Sequence, residues 1–240
     1  MEKNKLTKFI SKYHLNGLIE SVKWESESKV IKTSFISDDK SVLGSVSMKE
    51  FDEGDVTCGV YDTSKLTKML AVLGDDVILD ITKMDDKLVS LKFKDSSTSI
   101  NYMLSDLSVI PSTPDLKQLP EFDVQIKLDD TFINKFIRAK AALSDEDNFT
   151  FLVKDGKAQI ILGFASINSN RISIDVTASL QDGITDVDPI SFSATYLKEI
   201  LAVNKDAINA VLDISTQGLA AIHFEVGVYT SDYYLVQVSN

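Results

Sequence analysis

The chain has 240 residues, with 25 Lys and Arg against 36 Asp and Glu, a formal net charge of −11 and 44% hydrophobic residues. These values describe a folded protein of one large or two small domains with a sizeable core, and they exclude a disordered chain. A lone cysteine, Cys58, and two histidines, His14 and His223, exclude an internal disulfide and a thiolate zinc site built by one chain. No apolar run approaches the ~18 residues that cross a bilayer. The segment Met1-Glu2-Lys3-Asn4-Lys5 lacks the apolar stretch of a signal peptide, so a cytoplasmic protein with no membrane contact is expected.

In chain order, Leu6, Phe9, Ile10 and Tyr13 recur at helical spacing and predict a helix over 2–14. Strands follow at 17–24, 28–36, 41–48 and 55–61. Leu66, Met69, Leu70 and Leu73 predict a second helix over 62–73, and strands come at 76–83, 86–93 and 97–104. Three of the four prolines then fall between 111 and 120, which marks 106–121 as a connector between modules at 1–105 and 122–240. This connector carries Leu107, Val109, Ile110, Leu116 and Leu119, so it packs on a surface or offers itself to something. The second module reads as a strand at 122–128, a helix at 129–143, strands at 148–153, 157–164, 170–178 and 188–193, a helix at 194–205, and strands at 206–214, 219–226 and 232–238. Asp62-Thr63-Ser64 and Asp129-Asp130-Thr131 stand at N-cap positions, and Asp85-Asp86 and Asp155-Gly156 at tight turns.

The two halves repeat each other. Leu6-Thr7-Lys8-Phe9-Ile10 answers Ile133-Asn134-Lys135-Phe136-Ile137 at an offset of 127. Leu66 to Val72 answers Leu197 to Val203 at 131, and Val77-Ile78-Leu79-Asp80-Ile81 answers Ala210-Val211-Leu212-Asp213-Ile214 at 133. Three matches in the same order make a duplicated module: helix, four strands, helix, three strands, with a lead-in strand visible only in the second copy.

Charge is distributed unevenly over this plan. The four helical segments hold eleven basic residues and five acidic ones, although the whole chain is acidic. Lys5, Lys8 and Lys12 fall at i, i+3, i+7, and Lys65/Lys68 and Lys135/Arg138 are i, i+3 pairs. One reading is a solvated polar helix face. The other is a basic lining on an acidic protein, which holds DNA in one place and repels it elsewhere.

Enzymatic patterns are missing: His14 ends a Lys-rich helix, His223 lies in an alternating strand, and Cys58 reads as a small buried residue. Asp145-Glu146-Asp147 and the Asp182 to Asp188 stretch lack the ligand spacing of a calcium loop, and no phosphate-binding glycine loop occurs. Neither a catalytic residue, a metal nor a cofactor is expected.

Taken together, the tandem modules, the apolar Pro-containing connector and the basic helices resemble the DNA sliding clamp family of polymerase processivity factors, across the whole chain. Val60-Tyr61-Asp62 leading into the Leu66 helix, followed by Gly74-Asp75-Asp76, is similar to the clamps of T-even-type bacteriophages. Asp232-Tyr233-Tyr234-Leu235-Val236 is similar to the last strand of the proliferating-cell nuclear antigen type. The resemblance implies an α+β DNA-clamp fold, with sheets outside and basic helices lining a ring closed by three copies. It implies that Lys5, Lys8, Lys12, Lys65, Lys68, Lys135, Arg138 and Lys198 face duplex DNA without reading sequence. It implies a protomer contact of Ser99, Ile100, Asn101, Tyr102 and Met103 with Arg171, Ile172, Ser173 and Ile174 of the next copy. Val109, Ile110, Leu116, Leu119, Tyr234 and Val236 would form a groove for partner peptides. The partners implied are a DNA polymerase and an ATP-dependent clamp loader. A non-ring DNA-binding processivity or scaffold factor, and an acidic β-rich interaction module with no DNA role, are the alternatives.

Overall fold

The structure is a computed structural model that describes residues 1–85, 87–114, 116, 118–164, 170–208 and 210–238. Asp86 of the expected Asp85-Asp86 turn lies outside the described residues. In chain order the elements are α1 (Lys3–His14), β1 (Val22–Glu27), β2 (Val30–Ile36), β3 (Val42–Lys49), β4 (Val56–Val60), α2 (Thr63–Leu70), β5 (Ile78–Met84), β6 (Lys87–Lys94) and β7 (Ser99–Met103). Then come β8 (Val124–Lys127), α3 (Asp130–Ala142), β9 (Asn148–Lys154), β10 (Lys157–Leu162), β11 (Ile172–Val176), β12 (Ala178–Leu180), β13 (Val187–Ser193), α4 (Ala194–Val203), β14 (Val211–Ser215), β15 (Leu219–Val226) and β16 (Tyr229–Val236). Among the described residues no helix is long and apolar enough to cross a membrane.

The chain forms two compact units. One comprises Met1–Ile36, Gly44–Thr113 and Gly227–Ser231, and the other Ser37–Leu43, Pro114–Val226 and Asp232–Asn240. Strand order states the duplication directly: β3-β2-β1-β4 in the first half of the repeat has its counterpart in β11-β10-β9-β13, and β5-β6-β7 in β14-β15-β16.

The helices form where their apolar stripes meet these sheets. Leu6, Phe9, Ile10 and Tyr13 of α1 are buried, as are Ile133 and Phe136 of α3. Asp62 caps α2 by accepting from the Lys65 amide at 2.7 Å, and Asp129 caps α3 by accepting from the Phe132 amide at 2.8 Å. In the first core the rings of Phe9, Tyr13 and Trp24 meet edge to face, with the Phe9 centroid 5.6 Å from Tyr13 and 5.8 Å from Trp24. The Trp24 indole N–H donates to the Tyr13 hydroxyl at 3.2 Å, so the ring stack also satisfies its polar tips. In the second core Phe136 meets Phe149 at 5.5 Å, and Phe149 meets Phe192 at 5.7 Å.

The structure departs from the predicted elements at several boundaries. The strand expected over 17–24 starts at Val22, because Leu15, Asn16 and Gly17 all take positive φ (47°, 58° and 97°) and turn the chain after α1. The next hairpin turns through Ser28 and Lys29, with φ 52° and 65° and Glu27 opposite Val30. That is the left-handed geometry of a two-residue turn without the Asn-Gly signature that announces one. The strand expected over 170–178 is two strands. β11 pairs with β10 and β12 pairs with β8, so the chain changes sheets at Thr177. The strand expected over 206–214 begins at Val211.

The lead-in strand absent from the first half has a short stand-in. In the second half β8 pairs with β14, with Ile126 opposite Leu212. In the first half the Met1 amino nitrogen donates to the Val77 carbonyl at 2.9 Å, the Val77 amide donates to the Met1 carbonyl at 3.0 Å, and Glu2 bridges Asp76. Two residues have no period to read, which is why the sequence hides them.

Candidate nucleic-acid interface and contact edges

In each half of the repeat the two helices pack on one another, α1 with α2 and α3 with α4. Lys8, Lys65 and Lys68 are exposed on the first pair, and Lys135 and Arg138 on the second. Lys5 is less free: its ammonium meets Glu50 Oε2 at 2.7 Å, and the hydrogen bond and charge of that carboxylate raise its pKa. Lys198 pairs with its neighbour Glu199 at 2.9 Å.

Lys12 is corrected from the expected lining. It is 4% exposed, with its ammonium 5.5 Å from the centroid of the Tyr229 ring. Lys12 follows Phe9 by one turn of α1, at the border of the apolar stripe, so its aliphatic stem is covered and its charge meets an aromatic face instead of solvent. Lys140 of α3 is likewise buried, its ammonium donating to the Ser144 carbonyl at 2.8 Å.

The second unit brings two sets of expected residues together. A hollow of about 530 Å³ between α3 and β11 is lined by Lys135, Arg138 and Ala139 on one side and Ile172, Ser173, Ile174 and Asp175 on the other. A second hollow of about 300 Å³ shares Lys135, Ile174 and Asp175 and extends to Lys127, Asp129 and Thr177. Cations expected to face DNA and the strand expected to face another copy therefore border the same space.

Both strands expected to carry the protomer contact end their sheets: β7 closes β5-β6-β7 and β11 closes β11-β10-β9-β13. On β7, Ser99, Asn101 and Met103 are exposed and Ile100 is half-buried. Tyr102 points inward, its hydroxyl donating to the Asp62 carbonyl at 3.1 Å. On the β11 side, Arg171 and Ser173 are exposed, Ile172 is half-buried and Ile174 is buried. The Arg171 guanidinium lies 5.7 Å from the Phe164 ring centroid. A sheet edge with unused backbone groups is a template for strand addition.

Among the connector residues, Leu107, Val109, Leu116 and Leu119 are exposed by 43%, 55%, 43% and 39%. Ile110 is half-buried against Gly59, where a Cβ would stand 3.1 Å from its side chain and 2.8 Å from the Ser105 carbonyl oxygen. Only glycine allows that approach. Tyr234 and Val236 of β16 are half-buried.

Glu20 closes the start of α2, accepting from the Ser64 amide at 2.8 Å and from the Ser64 hydroxyl, with His14 Nε2 at 3.3 Å. Burial opposes the charge on Glu20, yet the Ser64 and His14 hydrogen bonds outweigh it and lower its pKa. His223 Nδ1 lies 2.7 Å from Asp232 Oδ1 on the outer face of β15 and β16. The Cys58 thiol is pushed up to about 12 by burial, which removes its nucleophilic form at neutral pH. Glu50 carried no signal in the sequence, because it meets Lys5 across 45 residues.

No family model matches the chain, and no curated protein does. Among solved structures it is similar to the proliferating cellular nuclear antigen of Entamoeba histolytica, at 17% identity and a TM-score of 0.74, over 100% of this chain and 97% of that one. It is also similar to the structure of the C-terminal region of FEN-1 bound to the A. fulgidus PCNA, at 20% identity and a TM-score of 0.72, over 100% of this chain and 97% of that one. At these identities the likeness is one of fold, and the chain has the α+β DNA-clamp fold.

Proposed function

We propose that the chain is a sliding clamp, which closes as a homotrimeric ring around duplex DNA and tethers a DNA polymerase. The observation that carries this reading is the placement of exposed cations on the paired helices of both halves of a chain whose net charge is −11. Phosphates recur about every 1.7 Å along a duplex, so such cations attract DNA of any sequence and leave it free to slide. Retention then comes from ring topology, and tethering raises the local concentration of the polymerase at the primer end.

The edges β7 and β11 support a head-to-tail contact between copies, with Ser99 to Met103 of one chain along Arg171 to Ile174 of the next. Such a contact propagates unless it closes, and a ring closes it. The exposed Leu107, Val109, Leu116 and Leu119, with Ile110, Tyr234 and Val236, are offered as the surface for partner peptides. The A. fulgidus PCNA, which shares the fold, binds the C-terminal region of FEN-1. Loading falls to a separate ATP-dependent loader, and the local likeness of Val60-Tyr61-Asp62 and Gly74-Asp75-Asp76 to T-even-type phage clamps supports action in a bacterial host cytoplasm.

Solution mass by light scattering across a dilution series tests the ring. A 26.5 kDa chain is expected to give a species of about 80 kDa. A 26.5 kDa monomer at every concentration would sink the closed ring.

A further inference from the structure

Lys5 is held at both ends. Its carbonyl accepts from the Tyr229 hydroxyl at 3.0 Å, and its ammonium meets Glu50 at 2.7 Å. Glu50 follows β3 with φ 65°, a backbone state that a residue with a side chain occupies only where its surroundings fix it. Both flanking residues are fixed here: the Lys49 amide donates to the Val228 carbonyl at 2.9 Å, and Phe51, 2% exposed, donates its amide to the Lys29 carbonyl at 2.9 Å. The carboxylate is therefore presented by a braced bend. The two side chains remain 35% and 59% exposed, so a phosphate can reach the pair.

We propose that Glu50 is a built-in counterion for Lys5, a positioning residue that occupies this cation until a DNA phosphate displaces it. The proposal rests on the reading of the helices as DNA-facing and adds how one of their contacts is regulated. A cation already neutralised by a carboxylate gains less from a phosphate than a free one does, so Lys5 makes a weak contact that exchanges easily. Weak, exchangeable contacts suit a protein that moves along DNA.

The test uses the full-length chain and a short labelled duplex of mixed sequence, with anisotropy read over a salt series. The wild type, Glu50→Gln, Lys5→Ala and the double variant are compared. Glu50→Gln is expected to tighten binding about two- to fivefold at low salt and to steepen the slope of log K against log salt by about 0.9. Both gains are expected to vanish in the Lys5→Ala background, because they run through that ammonium. A gain that survives without Lys5 makes Glu50 one more negative charge in a general field and overturns the proposal. Unchanged Glu50→Gln binding beside salt-sensitive wild-type binding overturns the counterion alone. Wild-type binding that is absent or indifferent to salt overturns the DNA-facing reading beneath it. Glu50→Ala, which also removes the charge, is expected to repeat the sign and guards against a folding defect peculiar to the amide.

Discussion

The helices α1 and α3 descend from one repeated segment, yet their cations have different fates. On α1, Lys3 donates to the Leu73 carbonyl, Lys5 is held by Glu50 and Lys12 is buried against Tyr229, while Lys8 is exposed. On α3, Lys135 and Arg138 are exposed at the rim of a hollow beside β11. The repeat has kept Phe9 and Phe136 as core rings and Lys8 and Lys135 as exposed cations, and has let the other charges diverge. A duplicated fold thus preserves what packs, whereas the availability of each cation depends on neighbours that sequence spacing does not show.

The largest effects should come from the shared part. Phe9→Ala and Phe136→Ala are each expected to cost about 3–5 kcal/mol by urea denaturation, since both rings are fully buried in aromatic clusters. Closely matched losses would confirm equivalent cores. A loss below about 1 kcal/mol at either site would break the equivalence.

A middle-sized effect separates two lysines one turn apart. Lys12→Ala is expected to lower stability by about 1–3 kcal/mol, through lost packing and an altered buried polar site, while leaving the salt slope of DNA binding unchanged. Lys8→Ala should do the reverse: stability within about 0.5 kcal/mol of the wild type and a slope shallower by about 0.9. Swapped phenotypes would mean that Lys12 leaves its buried position when DNA is bound.

The smallest effect concerns a feature of the first unit, the turn between β6 and β7. Asp95 accepts backbone hydrogen bonds from Gly74, Ser97 and Thr98, which hold its pKa at about 2, below the ordinary 3.8. A carboxyl lowered by folding stabilises fully above its unfolded value, and that contribution is lost as pH falls from about 3.8 through about 2. Asp95→Asn should therefore flatten the acid limb of a plot of urea midpoint against pH in that window. Parallel curves for variant and wild type would show that the three amide contacts contribute nothing to stability.

Much of the fold could be read in advance because it rests on periodicity and caps. The stripes Leu6-Phe9-Ile10-Tyr13 and Leu197-Ile200-Leu201 are buried in helices, and Asp62 and Asp129 cap as their positions indicated. The misses are places where a backbone state overrides residue preference. Leu15, Ser28 and Lys29 take left-handed conformations that their residue types do not announce, and the alternation from Ile172 to Leu180 runs on unbroken while the chain passes between sheets. For the candidate site, position around a helix located Lys8, Lys65, Lys68, Lys135 and Arg138 on exposed surface. It could not distinguish them from Lys12, because a residue at the border of a stripe is buried or exposed according to what packs beside it, and Tyr229 lies 217 residues downstream.

The single residue Thr177 joins β11, an outer strand of one sheet, to β12, an outer strand of another. Mechanically the two sheets of the second unit are therefore in series. A pull along β11 loads its ladder to β10 and is also passed through Thr177 to β12, and from there into β8 as shear across a three-pair ladder, Ala178 to Leu180 against Ile126 to Val124. The three-pair ladder of β12 is shorter than the five-pair register between β10 and β11, so of the two it is expected to open first under shear, which makes it the mechanical fuse of that unit.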